Sequence, residues 1–102
     1  MFGFIKKLFG EPTNFKQLVL DGAMIIDVRT PAEFKGGHIK GSTNIPLDKI
    51  KNKTQELHSK GKAIITVCRS GSRSGMAKNI LKSAGIQVYN GGPWNSLQGK
   101  IR

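Results

Sequence analysis

Cysteine is nearly absent from this sequence: of 102 residues only Cys68 carries a thiol. An intramolecular disulfide is thereby excluded. Histidine is almost as scarce. His38 and His58 stand twenty residues apart, without ligand spacing, so no metal centre is expected. Acidic residues number 6 against 17 basic ones, for a formal net charge of +11. Thirteen of the basic residues are lysines spread along the whole chain. Such a scattered excess describes a solvated surface that attracts small anions. Aromatic residues make up 7% and do not interleave with a basic stripe, so nucleic acid is not an expected partner. No apolar run approaches the roughly 20 residues that span a bilayer. The stretch from Met1 to Phe9 has lysines inside its apolar part, and no apolar h-region or small-residue cleavage site of a secretory signal follows. The expected location is the cytoplasm.

The length suits one domain with one modest core. Phe2, Ile5, Leu8 and Phe9 recur at helical spacing beside Lys6 and Lys7, before Gly10 and Pro12 break the pattern. Residues 1–12 are therefore read as an amphipathic extension and 13–102 as the domain. The extension is expected to pack on the domain; the alternative is weak docking of residues 1–10 to an anionic membrane or a partner. A short helix follows Thr13 or Asn14, placing Phe15, Leu18 and Val19 inward and ending at Asp21-Gly22. Ala23 to Val28 is apolar except for Asp27, as in a strand buried on both faces. Thr30-Pro31 opens a short helix through Phe34, Thr43 to Ile45 is a short strand, and Pro46 opens a helical segment with Leu47, Ile50 and Leu57. Ala63-Ile64-Ile65-Thr66-Val67 is the clearest strand. From Ser74 a helix carries Met76, Ala77, Ile80, Leu81 and Ala84 on one stripe, capped by Gly85. Gln87 to Tyr89 is a last short strand before a turn at Asn90-Gly91-Gly92-Pro93. Strands alternating with helices predict an α/β fold: a central, mostly parallel sheet with helices on both faces.

Cys68 stands where the clearest strand ends and a polar loop leads into a helix. Ligands bind at such carboxyl ends in open α/β sheets. The loop Cys68-Arg69-Ser70-Gly71-Ser72-Arg73 contains a glycine, so its amides can converge as an anion nest. The next helix adds its positive end, and Arg69 and Arg73 add full charges. All of these favour a thiolate. A buried inert cysteine would have apolar neighbours on both sides; Cys68 has them only before it.

This loop resembles that of the rhodanese family of sulfurtransferases, and the resemblance covers about Asn14 to Leu97. It is carried by Ile26-Asp27-Val28-Arg29, Glu33-Phe34, Gly37-His38-Ile39 with Gly41, Asn44-Ile45-Pro46, the Cys-x-x-Gly-x-Arg-Ser loop and Gly91-Gly92. Each element is weak alone; their order and spacing are specific. The resemblance implies a rhodanese-like fold and a Cys68 persulfide. The thiolate takes sulfur from a small anionic donor such as thiosulfate and passes it to cyanide, a thiol or a protein acceptor. Arg69, Ser70, Gly71, Ser72, Arg73 and Ser74 would bind the substrate, with no cofactor and no metal. Asp27 is read as structural, accepting backbone amides. Arg29 and Glu33, four apart, are expected to pair. His38 is read as a hydrogen-bonded structural residue and His58 as exposed. Trp94 departs from the family pattern: it comes two residues after Gly92, where family members often have a Trp about four after the glycine pair.

Two rival functions follow from the same residues. A cysteine phosphatase or arsenate reductase needs five residues between Cys and Arg. Here four separate Cys68 from Arg73, and Ser74 stands where that Arg would be. The other rival is a sulfur-relay or docking module with little small-molecule turnover. Inactive members of the family usually lack the cysteine that this chain retains.

Overall fold

The computed structural model describes residues 12–102. The expected amphipathic extension, residues 1–12, lies outside them apart from Pro12. The elements run α1 (Phe15–Leu20), β1 (Met24–Asp27), α2 (Pro31–Lys35), β2 (Thr43–Asn44), α3 (Leu47–Ile50), a 3-10 turn (Lys51–Lys53), α4 (Thr54–Ser59), β3 (Ile64–Cys68), α5 (Ser72–Ser83), β4 (Val88–Pro93) and α6 (Trp94–Lys100). The four strands form one sheet in the order β2-β1-β3-β4, and every pairing is parallel. The expected α/β architecture is therefore present.

Strand alternation decides what each face buries. On β3, Ile64 and Cys68 look toward a core shared with Ile26, Ile50, Leu57, Ala77 and Leu81. Ile65 and Val67 look the other way, toward Ile25, Ile39 and Leu97, with Phe15, Leu18 and Val19 packed against them. Helices α3 to α5 thus cover one face, and α1 and α6 the other. All five residues of β3 are buried, which explains why its sequence is apolar without alternating. Thr66 is tolerated there because its hydroxyl donates to the Ser74 carbonyl at 2.8 Å.

Three local expectations need correction. The helical segment after Pro46 is broken into α3, a 3-10 turn and α4. Met76 is 50% exposed. The buried stripe of α5 is Ala77 and Leu81, flanked by Ile80 and Ala84, and Met76 falls at its edge. Residues 90–93 are not a turn but the last four residues of β4, with Gly92 beside Val67 and Pro93 beside Cys68 across a bulge. Pro93 is accommodated because β4 is an edge strand. Gly91 is required by packing: a Cβ there would lie 2.8 Å from Ile65 Cγ2 and 2.9 Å from Val67 Cγ1. The signals that usually mark a turn here mark a bulge.

Candidate active site

The site forms where β1 and β3 end side by side. Asp27 and Val67 are register partners at the strands' carboxyl ends, so the loops that follow are neighbours. The first loop is closed by its own side chains. Asp27 accepts from the Arg29 backbone amide at 3.0 Å and forms a buried ion pair with the Arg29 guanidinium at 2.7 Å. The rest of that guanidinium donates to the Gly37 carbonyl at 2.7 Å and the Glu33 carbonyl at 3.3 Å. The expected Arg29–Glu33 side-chain pair is therefore not made. Arg29 is 4% exposed, and a buried guanidinium needs a buried partner, which Asp27 supplies. Glu33 instead completes a capping box with Thr30 and reaches across to Arg73.

The second loop is built differently. Gly71 takes φ +102°, a region costly for side chains, and turns the chain from β3 into α5. Its amide lies 2.9 Å from Cys68 Sγ, and the Ser74 amide lies 3.4 Å away. Ser74 Oγ is 3.3 Å from the sulfur. The thiol donates to that oxygen; after ionisation the hydroxyl can turn and donate to the thiolate. No side chain caps α5, so its first-turn amides are left for the sulfur. Burial pushes the Cys68 thiol up. The Ser74 hydroxyl and the amides of Ser74, Gly71 and Ser70 outweigh it, and the net direction is down from the ordinary thiol value.

The arginines play a smaller part than the sequence suggests. Arg73 forms a two-pronged pair with Glu33, at 2.7 and 2.9 Å. Its charge is largely spent there, although the Cys68 thiolate is among the influences raising its already high pKa. Glu33 is held down to about 2, first by the Arg73 hydrogen bond and then by the Thr30 amide. Arg69 is exposed and lines a cleft of about 290 Å³ with Arg29, Gly37 and Trp94. Among the described residues neither arginine side chain hydrogen-bonds to the sulfur. Ser70 and Ser72 are exposed, and Ser74 is buried. Cys68 itself is 0% exposed, so the loop lies closed over it.

The remaining sequence candidates are His38, His58 and Trp94. His38 faces the Phe34 carbonyl through Nδ1 at 2.8 Å and stacks on the Phe34 ring at 3.7 Å, a structural role. His58 is exposed. Trp94 opens α6 directly after Pro93, and its ring lies over the Arg29 guanidinium at 4.8 Å. The shortened spacing therefore still delivers a Trp to the cleft wall. Sequence reasoning missed Asn90, whose side chain contacts Ser74, Gly71 and Gly92. The Asn-Gly-Gly run was its signal: Asn often bonds the amide two residues on.

A thiol at a strand's end, approached by loop amides at a helix start, is an arrangement that favours the thiolate. The comparisons with known proteins specify it. A family model for the rhodanese-like domain matches residues 11–95, and the chain belongs to that family. It is 40% identical over 82 residues to the uncharacterized protein YqhL of Bacillus subtilis, covering 78% of this chain and 64% of that protein. It is 36% identical over 69 residues to the thiosulfate sulfurtransferase PspE of Escherichia coli, covering 66% of each. The chain thus spans slightly under two thirds of both relatives. The crystal structure of reduced CoADR-RHD from Bacillus anthracis superposes with a TM-score of 0.72 at 34% identity, over 93% of this chain and 17% of that one. Among the described residues no helix is long and apolar enough to cross a membrane.

Proposed function

We propose that the chain is a sulfurtransferase that carries sulfur on Cys68. The Cys68 thiolate attacks the outer sulfur of thiosulfate. A new S–S bond forms, the bond to the sulfonate sulfur breaks, and sulfite leaves with its electron pair. Cys68 is left as a persulfide anion. Cyanide or a thiolate then attacks the terminal sulfur, and the Cys68 thiolate is restored. No proton is transferred in either displacement, so no general base is needed.

The observation that carries this reading is the convergence of the Gly71 amide, the Ser74 amide and the Ser74 hydroxyl on one sulfur. Donors fixed in advance around a developing anion stabilise it without reorganising. Because Cys68 is buried, loading requires the exposed Arg69 and Ser70 to move aside and admit a second sulfur, while the Gly71 and Ser74 amides keep their aim. Arg69, exposed at the cleft, then draws in anionic donors. Arg73 is unsuited to hold a phosphoryl group, being clamped to Glu33, which weighs against a phosphatase. A cytoplasmic setting belongs to the same reading, since a lone thiol suits a reducing compartment.

Thiocyanate formation from thiosulfate and cyanide tests the proposal. Wild-type protein should turn over, and Cys68→Ser should fall to background while keeping its fold. Substantial turnover by the serine variant would overturn it.

A further inference from the structure

Asn90 belongs to β4, yet its side chain reaches under the loop that follows β3. The Gly92 amide donates to Asn90 Oδ1 at 2.9 Å, which fixes the amide's orientation, since only the oxygen can accept. Nδ2 must then face the Gly71 carbonyl, 3.2 Å away. The Ser74 hydroxyl also meets Oδ1, at 2.6 Å. Ser74 has a single hydroxyl proton. Given to Asn90, it leaves the oxygen's lone pairs free for the Cys68 thiol. When the thiol ionises, the same proton can turn to the sulfur.

Two further features of the chain serve this side chain. The register of β3 and β4 shifts between Thr66 and Val67, beside Asn90, and such bulges re-aim side chains. Gly75 lies inside α5, where a glycine costs roughly 1 kcal/mol relative to alanine. A Cβ there would stand 3.3 Å from Asn90 Nδ2, so the glycine makes room for the amide.

We propose that Asn90 is a positioning residue for Cys68, acting through Ser74. Through Oδ1 its side chain holds the Ser74 hydroxyl beside the sulfur, and its own bond to the Gly71 carbonyl anchors the amide in that orientation. The proposal rests on the sulfurtransferase reading of the loop. The titratable and charged groups on the elements around Cys68 are Asp27 and Arg29 at the end of β1, Glu33 on α2, Asp48 and Lys49 on α3, and Arg69, Arg73, Lys78 and Lys82 on the loop and α5. Tyr89 is the titratable group of β4. The variants below leave all of them in place.

Alkylation of Cys68 by iodoacetamide, followed against pH, is the test, because the chain has no other thiol. Urea unfolding of each variant is measured alongside. Asn90→Ala should move the alkylation midpoint up by about one pH unit, and Ser74→Ala should also raise it. The double variant should shift no further than the larger single shift, because Asn90 acts through Ser74. A wild-type midpoint in folded Asn90→Ala, or fully additive shifts, would overturn the proposal. Should Asn90→Ala not fold, Asn90→Leu decides: it keeps nearly the size of the side chain, removes both polar atoms without adding a charge, and should raise the midpoint as Ala does. A wild-type midpoint in that variant overturns the proposal too. Alkylation needs no sulfur donor, so its failure is separable from a failure of thiosulfate to load the wild-type protein.

Discussion

The loops after β1 and β3 begin alike and end as opposites. Each leaves a buried strand, each has an arginine soon after the strand's end, and each runs into a helix. After β1 the buried charge and the helix start are answered from within: Asp27 by Arg29, and the start of α2 by the Thr30–Glu33 capping box. After β3 the helix start has no side-chain cap, and its amides face the Cys68 sulfur. A loop that satisfies its own donors is scaffold. A loop that leaves them aimed at a thiol is, on the proposed reading, a site. Damage to the first should therefore cost stability, and damage to the second should cost chemistry.

The largest effect is expected at Asp27. Asp27→Asn leaves the Arg29 guanidinium buried without its counter-charge, which should destabilise the domain by about 3–5 kcal/mol in urea unfolding. Thiol reactivity per folded molecule should stay near wild type. A variant of normal stability with a dead thiol would reverse the roles of the two loops.

Gly71→Ala should fall between the two kinds of damage. Its positive φ makes a side chain cost about 1–2 kcal/mol, and the strain should turn the Gly71 amide away from the sulfur. Both the urea midpoint and the alkylation midpoint of Cys68 should then move, the second upward. An unchanged alkylation midpoint would remove the Gly71 amide from the account.

The smallest effect belongs to the Glu33–Arg73 pair, which ties α2 to α5. Both side chains are about a third exposed, so water screens the pair and Glu33→Gln should cost about 1 kcal/mol near neutral pH. The folded pKa of Glu33 is depressed from 4.5 to about 2. Its stabilisation is thus complete above the unfolded value and is lost as pH falls toward 2. Wild type and Glu33→Gln should converge in stability across that window. A constant gap down to the bottom of it would mean that the pair is not the cause.

Much of this contrast is legible in the residues. The β3 strand announces itself by five consecutive apolar or β-branched positions, and Cys68 by the change to polar residues after it. A loop whose donors come from the backbone can be inferred from a glycine and a helix start alone. Side-chain partners are harder, because they depend on which strands become neighbours. Arg29 and Glu33 look like a pair at helical spacing. Burial hands Arg29 to Asp27, and the adjacency of β1 and β3 hands Glu33 to Arg73. Asn90 is hidden for the same reason: a run that resembles a turn is a bulged edge strand, and the bulge sends its side chain sideways. Met76 shows the limit of periodicity, since a residue beside the apolar stripe reads like one on it.

The central claim is that the donors around Cys68 exist to hold a transferable sulfur, and intact-mass spectrometry tests it most directly. Wild-type protein incubated with thiosulfate should gain the mass of one sulfur atom. It should lose that mass on addition of a small thiol, and Cys68→Ser should never gain it. Wild-type protein that stays at its original mass under thiosulfate, with Cys68 still open to alkylation, would contradict the claim.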